Sequence, residues 1–219
     1  MSNVQNIFRL LFLGIFTAFV FNYLAEVKIN YIKHFLKISV LHLLATILII
    51  YVFNNTFSIH LNVSIGILLL LFISLILAIN VVYILFRGPF RQSIADYHER
   101  RGSYAFSLSQ YYTVSKSFNV LFQQSLILAS IYSLLDIGLK PFQIVMLFAV
   151  VFGIAHIFLV DHKKPYTLFV IIASFFGGGL FSFVILFFPF GFIYAYLLHW
   201  LFLISLGIYP HLINKTAIV

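Results

Sequence analysis

The amino-acid sequence predicts an all-α fold, a polytopic bundle of about seven transmembrane helices. Of its 219 residues, 63% are hydrophobic and only 8% are charged. Average soluble domains are about half apolar and about a quarter charged, so a lipid environment accounts better for this composition. The apolar runs are also continuous, as in ILLLLFISLILA at 67–78, whereas the strands of a membrane barrel alternate apolar and polar residues. Helices, which satisfy their own backbone hydrogen bonds in lipid, are therefore favoured.

The apolar runs set the positions of the helices. A span needs roughly 20 residues, and suitable runs predict helices near 8–25, 36–53, 62–86, 117–138, 142–160, 166–188 and 191–209. The last two runs are separated only by Pro189, Phe190 and Gly191. One helix through both would be roughly 66 Å long, about twice the hydrocarbon thickness, so we expect a turn there. The first run has no small-residue cleavage site after it, and we expect a retained helix and not a signal peptide.

The distribution of charge predicts the orientation, with the N-terminus outside and the C-terminus inside. Positive residues concentrate in cytoplasmic loops, and this orientation leaves only Arg9 and Lys140 outside. The remaining eleven are Lys28, Lys33, Lys37, Arg87, Arg91, Arg100, Arg101, Lys116, Lys163, Lys164 and Lys215. The chain then divides into N-terminal membrane helices with a loop (1–116), a core (117–209) and a cytoplasmic tail (210–219).

The net charge of +8 follows from these loops, and we expect no nucleic-acid partner. The longest polar stretch, within 87–116, contains RGPFRQSIADYHERRGSY. It is either a solvated loop or a contact for anionic lipid headgroups, which its arginines would bind. There is no cysteine, which excludes disulfides, thiol catalysis and thiolate metal sites.

Polar groups inside the predicted spans are the candidate functional residues, because such groups are costly in lipid. They are Gln123, Gln124, His156 and His199. At ~1.5 Å per residue, Gln123, His156 and His199 lie roughly 9, 6 and 13 Å from the cytoplasmic ends of their predicted helices. This places three helices' polar groups in one half of the membrane. His42 and Asn80 are interpreted as hydrogen-bonding groups between helices.

The span 117–138 carries its polar residues on one face. Gln123, Ser130 and Ser133 fall within roughly 40° of Asn119 around the helix, whereas Gln124 lies roughly 100° from Gln123. This stripe must face protein or water. It serves either to hydrogen-bond helices together or to line a site. The run Gly177–Gly179 is interpreted first as a device for close helix packing.

The order of these residues resembles the CPBP family of intramembrane proteases, the CAAX-processing and bacteriocin-processing group. The family pattern is Glu-Glu-x-x-x-Arg, then Phe-x-x-x-His, then His-x-x-x-Asn or Asp. Here FGIAH ends in His156, YLLHWLFL contains His199, and FQQSLIL places Gln123 and Gln124 at the two Glu positions. The resemblance spans about 117–209. It implies that these four residues occupy the catalytic positions of the family. We expect no cofactor and no metal, and a location in a bacterial plasma membrane.

The sequence departs from this pattern at positions that the catalytic chemistry of the family requires. Leu128 stands at the Arg position and Leu203 at the Asn or Asp position. In the family a Glu and a His activate water, and an amide has no useful basicity for that role. His156 would act as a base without a carboxylate to orient it. Asp161, just past the helix of His156, is the nearest substitute.

Three functions follow as alternatives. The chain is a degenerate family member that binds a peptide, lipid or protein partner without hydrolysis, an active endopeptidase using His156, or a scaffold subunit of a membrane complex. A transporter is less favoured because no span carries a buried charge pair or an interrupted helix. Ser174 and Ser182 near the glycines are weak candidates for rhomboid-type chemistry. Two histidines without a carboxylate fall short of the usual three ligands of a catalytic zinc site.

Overall fold

The computed structural model describes residues 3–26, 34–55, 57, 73–74, 76–77, 80, 110–159 and 167–216, and within these residues it is all-helical. The long helices are α1 (Asn3–Glu26), α2 (Phe35–Val52), α3 (Gln110–Asp136), α4 (Pro141–Leu159), α5 (Thr167–Phe187) and α6 (Gly191–Thr216). The all-α fold class is thus confirmed. The chain forms two compact units, one of Met1–Ile15 with Leu126–His199 and one of Phe16–Ser125 with Trp200–Val219.

Three of these helices are long and apolar enough to cross a membrane. They are Phe35–Val52, Tyr111–Asp136 within α3 and Val170–Phe187 within α5. Three such helices indicate a membrane protein. The predicted span at 62–86 lies largely outside the described residues, as does the loop from 87 to 109, so the count of seven and the orientation stay predictions.

Helix α2 buries polar side chains together with Ile38, Ile49 and Ile50, and exposes a row of large apolar side chains. Ser39, His42 and Thr46 are buried and share one face because they follow each other at spacings of three and four residues. The opposite surface is apolar and exposed, with Leu36, Val40, Leu44, Leu48 and Tyr51. A soluble protein rarely exposes a continuous apolar face of this kind, and a lipid-facing helix exposes one by necessity.

Helices α3 and α4 are joined by a short turn that local sequence explains. Gly138 has φ of 95°, a left-handed conformation that glycine adopts without steric cost. Its N–H donates to Leu135 O and the N–H of Leu139 donates to Leu134 O, the pattern of a Schellman cap. Pro141 then begins α4, where its missing N–H costs nothing.

Packing of α4 against α5 depends on the predicted glycine run, and on one glycine above all. A Cβ atom at Gly178 would lie 2.5 Å from the carbonyl oxygen of Phe148 and 2.6 Å from Cβ of Phe152. A Cβ at Gly177 would meet only the ring of Phe181, at 3.7 Å. Gly178 therefore brings α5 close to α4, as small residues do between membrane helices, and the packing interpretation of this run is confirmed.

The predicted turn between the last two apolar runs is also confirmed. Helix α5 ends at Phe187 and α6 begins at Gly191. Phe190 has φ of 58°, and the N–H of Gly191 donates to the carbonyl of Phe188. A Cβ at Gly191 would lie 2.7 Å from Cα of Ile185, so only glycine fits where the chain reverses.

Three helix boundaries differ from the prediction by more than two residues. Helix α1 begins at Asn3, five residues before the predicted 8. Helix α3 begins at Gln110, seven residues before the predicted 117, and places Lys116 within a helix and not in a loop. Helix α6 continues through Pro210 to Thr216, beyond the predicted end at 209. The reason is that an apolar run marks only the part of a helix that suits lipid, whereas backbone hydrogen bonding continues into polar turns.

Candidate functional site

The first part of α3 buries polar side chains around most of its circumference and not only along the predicted stripe. Its buried polar side chains are Thr113, Ser115, Ser117, Asn119, Gln124 and Ser125, and Ser133 is buried further along. Gln123 is half-buried. Ser117 and Ser133 donate to the carbonyls of Thr113 and Ala129, four residues earlier on the same helix. Of the predicted stripe, Asn119 and Ser133 are buried, whereas Ser130 is half-buried like Gln123.

Asn119 is the centre of a buried hydrogen-bond network between α3 and α2. Its Oδ1 accepts from Nζ of Lys116 at 3.0 Å and from Nε2 of Gln123 at 3.0 Å. Its Nδ2 donates to Nε2 of His42 at 2.9 Å. Asn119 is 1% exposed and His42 is 0% exposed, so the bond between them forms away from solvent, whereas the bonds from Lys116 and Gln123 are partly buried. We name these four residues the Asn119 network.

His42 is fixed on both sides of its ring. Its Nδ1 lies 2.9 Å from the carbonyl of Ile38, one turn earlier on α2. The ring also contacts Phe122, with centroids 5.5 Å apart, and Phe122 packs edge-on against Phe16 of α1 at 6.3 Å. The interpretation of His42 as a hydrogen-bonding group between helices is confirmed, and Asn119 is its partner. Asn80, the other such residue, donates to Ile76 O of its own helix.

Gln123 and Gln124, the two candidates on α3, have different surroundings. The amide nitrogen of Gln123 donates to Asn119, so Gln123 belongs to the network. Gln124 is fully buried, and its position one residue later turns it away from Gln123, by roughly 100°. Both lie in the unit formed by Phe16–Ser125 and Trp200–Val219.

His156 is positioned by its own helix and by the contact with α5. Its Nδ1 donates to the carbonyl of Phe152 at 2.8 Å, and its ring stacks on that of Phe152 at 6.4 Å and 28°. Phe152 in turn lies where Gly178 leaves room for it. The two fixed residues of the FGIAH motif thus contact each other directly.

His199 stacks on an aromatic ring of α5. Its centroid lies 5.1 Å from that of Phe181, with an interplanar angle of 16°. His156 and His199 both belong to the unit that contains Leu126–His199. That all four candidate residues line a single pocket stays a prediction.

The predicted shared membrane depth of Gln123, His156 and His199 is not tested by the ends of their helices. Helix α3 begins at Gln110 and α6 ends at Thr216, so both extend beyond the apolar runs from which the depths follow. Because a helix end does not mark the edge of a membrane, the shared depth stays a prediction.

Among the described residues, the remaining candidates form no catalytic or metal-binding arrangement. Ser182 donates to the carbonyls of Gly178 and Gly179, so its hydroxyl is used within α5. Asp161 lies outside the described residues. Among the described side chains, no three His, Asp or Glu residues are grouped so that they could hold a metal ion. An open groove of about 500 Å³ along α4 and α5 is lined by Val150, Gly153, Ile154, Ile157, Ile171, Ile172, Phe175 and Phe176, which offer no polar side chain.

Sequence reasoning missed the role of Lys116 and the pairing of His42 with Asn119. Lys116 comes just before the apolar run that begins at 117, and the sequence therefore predicts it in a loop. His42 and Asn119 are 77 residues apart in sequence, and no local pattern pairs residues at that separation. The available signal was that each lies on the polar face of its own helix.

Comparison with known proteins identifies no relative. No protein-family model matches the chain, and neither a curated protein nor a solved structure is significantly similar to it.

Proposed function

We propose that this chain is a CPBP-like integral membrane protein that binds a peptide, lipid or protein partner without hydrolysing it. It spans a bacterial plasma membrane with about seven helices, with its N-terminus outside and its C-terminus inside. The observation that carries the proposal is the hydrogen bond from the amide nitrogen of Gln123 to Asn119 Oδ1.

This bond suits an amide and would not suit the glutamate of an active enzyme. A general base must accept a proton from the attacking water, whereas Gln123 contributes an N–H donor. A carboxylate at 123 would face Asn119 Oδ1 as one acceptor against another. Rotating the Asn119 amide would turn its nitrogen towards a carboxylate at 123. The same rotation would also place that nitrogen against Lys116 Nζ, which donates to the oxygen, so one unfavourable contact would replace another. The surroundings of Gln123 therefore support a site without a base at this position.

The two leucines at polar family positions support the same conclusion. Leu128 is 1% exposed and Leu203 is 7% exposed. Each is a buried apolar side chain where the family pattern has a guanidinium, an amide or a carboxylate. Stabilisation of the developing oxyanion by hydrogen-bond donors is usually the largest single contribution to acyl-transfer catalysis. Neither leucine can donate such a hydrogen bond.

An active endopeptidase is the second candidate, and the geometry of His156 favours it. Because Nδ1 donates to the Phe152 carbonyl, the neutral ring carries its lone pair on Nε2, the atom that a general base would use. A third candidate is a scaffold subunit in which the Asn119 network serves only to join helices.

Reconstitution with a library of membrane-anchored peptides separates these candidates. The purified protein is placed in liposomes, and both peptide cleavage and photo-crosslinking of bound peptide are measured. The variants are His156→Ala and Gln123→Glu, with Gln143→Glu as the matched control because Gln143 is exposed on α4.

For the non-hydrolytic proposal we expect crosslinking without cleavage in the wild type and in Gln143→Glu. Cleavage gained only in Gln123→Glu would further support a degenerate site. Wild-type cleavage that is lost in His156→Ala would establish the endopeptidase and overturn the proposal. Absence of both cleavage and crosslinking in every variant would leave the scaffold function.

A further inference from the structure

Lys116 fixes the direction of the hydrogen bonds in the Asn119 network, because its side chain can only donate. The ammonium group of Lys116 has three N–H donors and no acceptor. The amide atom of Asn119 that it contacts must therefore be the oxygen. The Gln123 amide can present either atom, and it turns its Nε2 to the same oxygen, so the orientation of both amides follows from Lys116.

The orientation of Asn119 then sets the protonation state of His42. With its oxygen turned to Lys116, Asn119 presents Nδ2 to His42 Nε2 at 2.9 Å. An amide nitrogen only donates, so Nε2 must accept with its lone pair. At the other side of the ring, Nδ1 faces the carbonyl of Ile38, which only accepts, so Nδ1 carries the hydrogen. Both ends of the chain of bonds give the same result, a neutral ring protonated at Nδ1.

We propose that the bond between His42 and Asn119 is a proton-sensitive contact between α2 and α3, formed when His42 is neutral and broken when Nε2 takes up a proton. Protonated Nε2 would face Asn119 Nδ2, donor against donor. Rotating the Asn119 amide by half a turn would place its nitrogen against Lys116 Nζ, which cannot accept, even if Gln123 turned its own amide to present Oε1. No orientation of the amide satisfies the network once His42 is charged.

The charges around His42 act in the same direction. From α3 the charged group that interacts with the ring is the ammonium of Lys116, which repels an imidazolium. Phe122 from α3 contacts the ring, and Phe16 of α1 packs against Phe122; neither carries a charge. On α2 itself, Lys37 is more than one turn away and exposed. The described groups around His42 are therefore a positive charge and uncharged aromatic rings. None of them offers a negative charge to a protonated imidazole.

The sign of the pH effect follows from this arrangement. Because the folded protein favours neutral His42, the unfolded chain binds more protons at this residue, and stability falls as the pH is lowered. We expect the fall to begin as the pH drops below about 6.5, where a histidine of the unfolded chain takes up its proton, and to continue as the pH is lowered to about 4.

The test follows the unfolding midpoint of the full chain in nanodiscs over this pH range, for the wild type and three variants. His42→Gln keeps an acceptor for Asn119 but cannot titrate, and we expect it to lose the acid-induced fall. Asn119→Asp offers an acceptor to a protonated His42, and we expect it to abolish or reverse the fall. His34→Gln, which removes a histidine from the N-terminal end of α2, should behave like the wild type.

A second measurement needs neither His42→Gln nor Asn119→Asp to be stable. The variant His156→Ala removes a second histidine that donates through Nδ1. In its ¹⁵N-histidine NMR spectrum at neutral pH, a histidine should still show the neutral Nδ1–H form and should lose it on acidification. The proposal is overturned if His42→Gln keeps the wild-type pH dependence. It is equally overturned if no histidine of His156→Ala shows the Nδ1–H form at neutral pH. Should His42→Gln fail to fold, an unchanged acid response in Asn119→Asp would overturn it instead.

Discussion

At the scale of single residues, Asn119 joins two helices that are distant in sequence. It accepts from Lys116 and Gln123 and donates to His42, so three of its hydrogen-bonding positions are used in a buried environment. In lipid a polar side chain without partners is costly, and hydrogen bonds between helices satisfy it. The sequence identified Asn119 and Gln123 as members of one polar face, and the structure shows what that face contacts.

We expect Asn119→Ala to lower the free energy of unfolding by about 2 kcal/mol, because it removes three hydrogen bonds worth roughly 0.6 kcal/mol each. Equilibrium unfolding in mixed micelles measures this change. Ser133→Ala is the control, since Ser133 is buried on the same helix but donates to the carbonyl of Ala129. Equal losses in both variants would contradict a special role for Asn119.

At the scale of helices, the contact of α4 with α5 depends on close approach of two backbones. Gly178 lies against the backbone of Phe148 and the side chain of Phe152. Phe152 also carries the stacked ring of His156. The glycine run thus affects the candidate site indirectly, because the position of Phe152 depends on the missing side chain at 178.

We expect Gly178→Ala to destabilise the protein by about 1–3 kcal/mol, the usual cost of extra atoms in a packed interior. Gly177→Ala is the matched control, since its Cβ would make an ordinary contact at 3.7 Å. Thermal unfolding of both variants in the same detergent measures the difference. The packing argument fails if the two midpoints agree.

At the scale of the whole molecule, the exposed surface of the described helices is strongly apolar. Phe8, Ile15, Phe19, Phe142, Leu168 and Phe176 are among its exposed large side chains. Patches of this kind mark surfaces that contact other proteins or membranes. Together with three helices of spanning length and hydropathy, they agree with a lipid-facing exterior.

The orientation is open to a direct test because the chain contains no cysteine. Single-cysteine variants Lys33→Cys, Lys140→Cys and Lys163→Cys would be labelled in intact cells with a reagent that does not cross membranes. The distribution of positive charge predicts that only Lys140→Cys is accessible from outside. Labelling of positions 140 and 163 from the same side would contradict a membrane-crossing α4.

The sequence by itself determined the all-α fold class, the boundaries of most helices to within a few residues, the reversal at Pro189–Gly191 and the polar face of α3. These features depend on local composition and on helical periodicity, which neighbouring residues set. Tertiary structure alone decided that His42 pairs with Asn119, that Lys116 joins them from within a helix, and that Gly178 is the glycine on which packing depends. Each of these depends on which helix faces which, and that is fixed by contacts between residues far apart in the chain.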